Sequence, residues 1–265
     1  MRILRPRFNL IELALWGTLI AVIAYVGGRT RTQTELLPFL SRGGVELRPL
    51  EERFGPGHNS RFGEEWMIRD FFGDQRDGIF VDVGANHYQR ESNTYFLETA
   101  LGWSGLAIEP QSKFAADYQS HRPKTTFVPL FVSDTSNRET VMYVPTYDLI
   151  ASADKAFVES EGGTDVQPLT VNTTTLDDIL DRSGIARIDF LSMDVELHEP
   201  AALKGFSINR FRPRLVCVEG HLPVRQQVLD YFAAHDYVVL GKYLRADNMN
   251  LWFARAPHAT ESPLP

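Results

Sequence analysis

Short apolar runs rich in Val, Ile and Phe alternate with stretches of helical pattern over residues 64–255, and this alternation constrains the fold more than any other feature. Strands that alternate with helices indicate crossover connections, so the sequence predicts an α/β domain with a mostly parallel sheet. The final runs YVVLGKY and NLWFAR, joined by the short turn RADNMN, predict an antiparallel pair at the sheet edge. The runs that predict the earlier strands are GIFVDV (78–83), SGLAIE (104–109), TFVPLFVS (126–133), IDFLSMDV (188–195) and RLVCVEG (214–220).

Two segments interrupt this regular pattern. Pro129 lies inside TFVPLFVS and favours an edge position or a bulge there, because proline donates no backbone hydrogen bond. Residues 138–172 do not fit the alternation, and their segments ETVMYVP and QPLTVN predict a β-rich insertion that could cover a site. The helices predicted between the strands are EEWMIRDFF (64–72), NTYFLETAL (93–101), KFAADYQSH (113–121), TLDDILDRS (175–183), EPAALKGF (199–206) and VRQQVLDYFAAH (224–235).

The N-terminal segment from Phe8 to Gly28 is apolar apart from Asn9 and Glu12, with arginines before and after it. A membrane-spanning helix needs roughly 20 largely apolar residues, so residues 1–28 predict a single-pass transmembrane anchor. A cleaved signal peptide and a buried core helix are the alternatives, although no clean cleavage site follows the apolar run. Arginines on both flanks leave the orientation of the helix undecided.

The rest of the chain divides by composition. Residues 29–60 are rich in proline and glycine and predict a linker, residues 61–256 predict the globular domain, and residues 257–265 predict a flexible tail. The net charge of −7 argues against a nucleic-acid partner, because such proteins usually carry a basic surface. Cys217, the single cysteine, excludes an internal disulfide and a cysteine-based zinc site, and its apolar surroundings predict a buried small side chain.

The turn after the first predicted strand, FVDVGAN, indicates a ligand site. Asp82 and Gly84 occupy the start of a glycine-rich nucleotide-binding turn, but Asn86 and bulkier residues stand where two further glycines would admit a pyrophosphate. A ligand without phosphates suits this turn better. S-adenosylmethionine is such a ligand, since its amino-acid end can meet the backbone amides at Gly84 and the carboxylate of Asp82.

Three acidic side chains end three successive predicted strands. Asp82 is the first, Glu109 follows the second strand and suits the ribose hydroxyls, and Asp134 follows the third and suits the adenine amino group. In an open parallel sheet, ligands bind beyond the carboxyl ends of the strands, so the three acids predict one cofactor site. For each acid alone, a turn cap, a solvated side chain or an Asx-turn remains the alternative.

FVDVGAN, SNTYFLETALGWSGLAIEP, TTLDDIL and IDFLSMDVELHEPAALKGF, in this order, resemble the FkbM family of S-adenosylmethionine-dependent methyltransferases. The resemblance implies a Rossmann-like sheet of seven strands with the last strand antiparallel, and methyl transfer to a hydroxyl oxygen of a sugar or natural product. Two positions depart from the family pattern. Leu197 stands where a D-x-E-G-x-E pattern has glycine, and His87 stands at a glycine-type position of the turn.

Candidate catalytic residues lie after the fourth and fifth predicted strands. We expect the base that takes the proton of an acceptor hydroxyl to be one of Asp194, Glu196, His198, Glu219 and His221. The two histidines titrate near neutrality, which suits a base. A surface histidine remains the alternative for each. A metal held by Asp194, Glu219 and His221 is a minor possibility, because no spacing motif supports it.

Three functions remain in competition. The first is a membrane-anchored S-adenosylmethionine-dependent methyltransferase with a small-molecule or glycan acceptor, whose domain faces the cytosol because the cofactor is made there. The second is a non-catalytic, membrane-tethered binding module that keeps the fold, which Leu197 motivates. The third is a nicotinamide-dependent oxidoreductase, which the missing glycines after Gly84 disfavour. Neither the acceptor nor the oligomeric state follows from the sequence.

Overall fold

The computed structural model describes residues 47–256 of the chain. The predicted anchor at residues 1–28 and the predicted tail at residues 257–265 lie outside the described residues. No helix within residues 47–256 is long and apolar enough to cross a membrane.

The described chain alternates strands and helices as the sequence predicts. The strands are β1 (Ile79–Val83), β2 (Ser104–Ile108), β3 (Thr125–Val128), β4 (Phe131–Val132), β5 (Glu139–Val144), β6 (Gln167–Thr174), β7 (Phe190–Met193), β8 (Leu215–Glu219), β9 (Tyr237–Val239) and β10 (Asn250–Arg255). The α-helices are α1 (Leu47–Phe54), α2 (Glu64–Phe72), α3 (Tyr95–Thr99), α4 (Ala115–His121), α5 (Lys155–Ser160), α6 (Leu176–Ser183), α7 (Glu199–Lys204), α8 (Ile208–Phe211) and α9 (Leu222–Ala233). Short 3₁₀ turns cover Ser112–Phe114, Asp148–Ile150 and Gly241–Tyr243.

Seven strands form the main sheet in the order β3-β2-β1-β7-β8-β10-β9. Within this sheet, each of the strands β3, β2, β1, β7 and β8 is parallel to its neighbour in the group. Strand β10 is antiparallel to both β8 and β9. The predicted mostly parallel sheet with an antiparallel pair at one edge is therefore confirmed. The antiparallel strand β10 lies one position inside the outermost strand β9, because the short connection from β9 returns the chain beside β8.

Apolar side chains cover both faces of this sheet. Along β1, Val81 and Val83 pack into one core cluster while Phe80 packs into the other, as the alternation of side chains along a strand requires. Cys217 is 2% exposed and lies in the same cluster as Phe80, which confirms it as a buried small side chain. Packing in the two core clusters holds the strands in place. The site described below lies beyond the carboxyl ends of these strands.

The run TFVPLFVS forms two strands instead of the single strand that we predicted. Proline at 129 offers no N–H to the ladder, and the Leu130 N–H folds back onto the Val128 carbonyl at 2.9 Å. The chain leaves the main sheet after β3, and β4 pairs with β6 in a separate three-stranded sheet of order β4-β6-β5. The β5 and β6 strands run antiparallel, which confirms the β-rich insertion at 138–172.

The folded domain begins earlier than the predicted boundary at residue 61. Leu47, Leu50 and Phe54 fall at helical spacing on one side of α1, and all three pack against the core cluster that contains Phe80. Leu50 is only 3% exposed. The linker prediction was therefore wrong for residues 47–54. Their sequence contains a proline and was assigned to the linker, but it forms a short amphipathic helix.

Candidate active site

A pocket opens where β1, β2, β7 and β8 end. The chain runs from β1 outward to β3 on one side and then crosses to β7 on the other, so the strand order reverses between β1 and β7. Such a reversal leaves a crevice beyond the strand ends, where open α/β sheets bind ligands. Seven of the predicted site residues line this pocket, namely Asp82, Gly84, Asn86, Glu109, Asp194, Glu196 and Glu219.

The backbone that follows β7 passes so close to position 84 that only glycine fits there. The φ of Gly84, +83°, lies in the left-handed region, and a Cβ added there would stand 1.7 Å from the backbone oxygen of Asp194. The N–H groups of Gly84 and Ala85 both donate to the carbonyl of Ile108, at 2.9 and 3.2 Å. These two amides are therefore hydrogen-bonded within the fold, and a cofactor contact with the backbone amides of the Gly84 turn stays a prediction.

Asp82 is buried at the end of β1 and oriented by a chain of hydrogen bonds. The hydroxyl of Thr94 donates to its carboxylate at 2.9 Å, and Arg122 donates to that hydroxyl at 3.2 Å. Arg122 is itself fully buried and pairs with Glu98 at 2.6 Å. Burial raises the pKa of Asp82 to about 6, against the opposing effects of Thr94 and Arg122. A positive group entering the pocket beside Asp82 would favour its ionised form.

Glu109 directly follows β2, the parallel neighbour of β1, and faces the same pocket as Asp82. Its two carboxylate oxygens accept from the backbone N–H of Asn86 at 3.3 Å and of Gln111 at 2.9 Å. Burial raises the pKa of Glu109 above its ordinary value. Asn86 has a φ of +44°, and its buried Oδ1 accepts no hydrogen bond from the residues that the structure describes. An unpaired buried oxygen is costly, so a hydrogen-bond donor that enters the pocket would stabilise this atom.

Three predicted site residues, Asp134, His198 and His221, are not among the residues that line the pocket. Asp134 is exposed and follows β4, which the break at Pro129 has moved into the separate sheet. The imidazole of His198 lies 3.1 Å from the hydroxyl of Ser133 and packs on Phe131, with 4.7 Å between ring centroids. The structure therefore does not place Asp134 with the cofactor residues, or His198 with the catalytic ones.

His221 lies against two carboxylates at the β8 end. Its Nε2 is 3.2 Å from an oxygen of Glu196 and 3.1 Å from an oxygen of Glu219. These two acids raise the pKa of His221 to about 10. The imidazole therefore carries a positive charge near neutral pH, and our expectation that it titrates near neutrality as a base is wrong.

Four acids lie near the ends of β7 and β8, in two groups that share Glu219. Asp194 and Glu196 follow β7, Glu219 ends β8, and the fully buried Glu199 begins α7. Burial raises the pKa of Glu196 and of Glu199 to about 7 each. The Asp194 side chain is open to the pocket, yet its depth in the cleft and the adjacent Glu219 raise its pKa well above the ordinary range.

Other pocket residues come from distant parts of the chain, and the sequence reasoning missed them. Glu64 in α2 is 4% exposed and accepts from the Phe62 N–H at 2.6 Å and from the Asn250 side chain at 3.2 Å. Met142 and Leu149 reach the pocket from the insertion, as its predicted covering role requires. These residues come together only in the folded protein. The sequence indicated their contribution at one place only, where residues 138–172 do not follow the alternation of strands and helices.

A model of a known protein family matches the sequence. Residues 82–239, more than half of the chain, match the model of a family described as the methyltransferase FkbM domain. Among solved structures, the chain is similar to precorrin-6y C5,15-methyltransferase from Geobacter metallireducens GS-15, with a TM-score of 0.40, 10% identity, and coverage of 66% of this chain and 71% of that chain. It is also similar to the METTL16 MTase domain, with a TM-score of 0.42, 13% identity, and coverage of 78% and 76%. No curated protein matches the sequence.

Proposed function

This chain belongs to the FkbM methyltransferase family, and from that premise we propose that it transfers a methyl group from S-adenosylmethionine to a hydroxyl of a sugar or related small molecule. The single observation that carries the proposal is the pocket at the strand-order reversal, which joins the residues of β1 and β2 to the acids after β7 and β8. The matched region, residues 82–239, contains both halves of the pocket's acidic lining.

The β1 and β2 half of the pocket has groups that suit the cofactor. Asp82 can pair with the ammonium of the amino-acid end, which would offset the desolvation of its buried carboxylate. Each oxygen of Glu109 accepts one backbone amide and keeps a lone pair for a ribose hydroxyl. Asn86 Oδ1, which has no partner among residues 47–256, can accept from a further donor of the cofactor.

The β7 and β8 half suits the acceptor. When bound, S-adenosylmethionine supplies a methyl group activated by its sulfonium. The chain's own task is to hold the acceptor oxygen in line with that methyl group, since positioning alone contributes several kcal/mol to such a displacement. The hydroxyl must also lose its proton as its oxygen becomes methylated, and the carboxylates of Asp194 and Glu196 line this half to receive it.

Calorimetric titration of the full-length chain with S-adenosylmethionine tests the cofactor site. We expect one site per chain, and at least tenfold weaker binding for Asp82→Ala and Glu109→Ala, with Asp82→Asn and Glu109→Gln as variants that keep the side-chain volume. Asp134→Ala is the matched control, because this exposed acid lies outside the pocket lining and should leave the affinity unchanged. Absence of heat with the parent, or pocket variants that bind like the parent, would refute the cofactor assignment.

Methyl transfer itself needs a second measurement. The chain is incubated with isotopically labelled S-adenosylmethionine and a cell extract, and labelled products are identified by mass spectrometry. A labelled ether on a hydroxylated small molecule or glycan supports the proposal. A chain that binds the cofactor but labels no acceptor would instead be a binding module that retains the methyltransferase fold.

We also propose that the segment 8–28, which precedes the described residues, anchors the protein in a membrane with the domain on the cytosolic side. Its apolar length supports the anchor, and the cytosolic origin of the cofactor supports the orientation. Reporters fused after Pro265 test both points. Activity of a cytosol-dependent reporter in the membrane fraction is expected, while activity only of a reporter that needs the opposite compartment would contradict the orientation.

A further inference from the structure

We propose that this chain binds one divalent cation of the kind that prefers oxygen ligands, Mg²⁺ or Mn²⁺, on the carboxylates of Asp194, Glu199 and Glu219. These three side chains each offer one oxygen, and the three oxygens lie within 4.8 Å of one another. Ligands on opposite sides of an ion bound at ~2.1 Å are roughly 4.2 Å apart, so small side-chain movements would close the shell.

The hydrogen bonding of two of these acids points to a missing partner. Glu199 is fully buried, with one oxygen accepting from the Val195 N–H at 3.1 Å and the other without a partner among residues 47–256. Glu219 is 8% exposed, with one oxygen against His221 and the other accepting from no N–H or hydroxyl group of the described chain. The carboxylate of Asp194 is also a close neighbour of Glu219. Leaving a buried carboxylate oxygen unpaired is expensive, and a cation at this point would satisfy both oxygens.

The donor set of the site leads to the same conclusion. The imidazole of His221 contacts Glu196 and Glu219. Glu196 therefore has His221 as a partner, whereas the group formed by Asp194, Glu199 and Glu219 offers only carboxylate oxygens. Oxygen-rich donor sets of this kind select hard divalent ions.

The position of the proposed ion also gives it a use. Asp194 and Glu219 line the pocket, so open coordination positions on the ion would face the space left for the acceptor. A hydroxylated acceptor could fill these positions and be oriented by them. This orienting role rests on the proposed methyltransferase function, whereas binding of the ion does not.

Electron paramagnetic resonance of Mn²⁺ provides a direct test, because the sharp signal of the free aqueous ion diminishes when the ion binds. Full-length chain, first freed of metal with a chelator and then dialysed, is titrated with Mn²⁺. We expect one bound ion per chain. We also expect at least tenfold weaker binding for Glu199→Gln and Glu219→Gln, and competition by Mg²⁺.

Glu109→Gln is the matched control, since it makes the same substitution at a buried acid of the same pocket, but outside the three-carboxylate group. Circular dichroism checks that each variant folds, and Asp194→Asn, at a side chain open to the pocket, tests the site if the buried variants do not fold. A parent that leaves all Mn²⁺ free, or cluster variants that bind like the parent, would overturn the inference.

Titration with S-adenosylmethionine in the presence of chelator separates the two proposals. Cofactor binding without ion binding would reject the cation site alone. Ion binding without cofactor binding would reject the methyltransferase function alone.

Discussion

At the scale of single residues, Gly84 shows how a position that looks like a ligand contact can be fixed by the fold. The Cβ of Gly84→Ala would meet the Asp194 carbonyl, and the left-handed φ of +83° adds strain of about 1–3 kcal/mol. We expect this variant to lose several kcal/mol of stability or to fail to fold. Gly162→Ala separates the two effects, because Gly162 has the same φ but nothing within 4 Å of the added atom.

Denaturant unfolding of both variants measures this difference. Gly162→Ala should show the backbone strain alone, and Gly84→Ala should show the strain and the clash together. Equal losses of free energy of unfolding in the two variants would mean that the strand ends at Gly84 and Asp194 separate easily.

Leu197 departs from the family pattern, and the structure gives this departure an energetic cost. Its φ of +74° lies in the left-handed region, where a leucine is strained by about 1–2 kcal/mol. Leu197→Gly should therefore keep or raise the melting temperature, although it removes a half-buried side chain. Leu244→Gly should lower it, because Leu244 is also half-buried but has an ordinary φ of −61°. Destabilisation of equal size in both variants, measured by calorimetric scanning, would show that Leu197 contributes more by packing than it costs in strain.

The positions of site residues were predictable from the sequence where a strand end alone determines them. Asp82 and Glu109 reach one pocket because adjacent parallel strands end at the same edge of the sheet. The charge state of His221 was not predictable, because its raised pKa depends above all on Glu196, which approaches it only in the folded protein. The position of His198 was not predictable either, since its side chain contacts Ser133, which directly follows β4.

At the scale of elements, α1 tests where the domain begins. Leu50 is buried against the core, and replacing such a leucine with alanine costs about 2–5 kcal/mol when the site cannot collapse. We expect Leu50→Ala to lower the free energy of unfolding by about 2 kcal/mol or more in urea. Leu222→Ala, at a leucine that is 82% exposed, should change it by less than about 0.5 kcal/mol. If Leu50→Ala behaves like Leu222→Ala, residues 47–54 do not contribute to the folded domain.

The strands of the main sheet and the helices between them were predictable because each element buries one face. Apolar residues therefore recur in the sequence with the period of that element. This pattern did not predict the break at Pro129, where a single apolar run contributes strands to two sheets. Only the missing N–H of the proline indicates that the chain leaves the first sheet there. The pattern also failed at α1, where a helix of eight residues has too few turns for its pattern to stand out from a proline-containing segment. Tertiary packing decided both cases.

At the scale of the whole molecule, the fold concentrates acids whose burial favours their protonated forms. Glu196 and Glu199 have pKa values of about 7, and Asp82 has one of about 6, all above the ordinary values of 4.5 and 3.8. Between about pH 4 and pH 7 these three acids therefore hold more protons in the folded protein than in the unfolded chain, so their contribution to the free energy of unfolding falls as the pH rises. The half-buried His198, whose pKa is lowered, acts in the opposite direction. His221 acts in the same direction as the three acids, because its stabilising charge, complete below its ordinary pKa of 6.5, is lost as the pH rises through about 10.

We therefore expect the metal-free protein to melt at a higher temperature at pH 5 than at pH 8, in contrast to proteins that lose stability in acid. Each unit of pKa shift corresponds to ~1.4 kcal/mol at most, and each kcal/mol to about 2–4 °C for a domain of this size. Calorimetric scans in chelator across this range measure the effect, and Glu199→Gln should reduce the difference because it removes one of the shifted groups. Mn²⁺ should raise the melting temperature most at pH 8, where the carboxylates are ionised and can bind it. A metal-free melting temperature that rises from pH 5 to pH 8 would show that these acids are hydrated in solution, and that the pocket floor is more open than its burial here indicates.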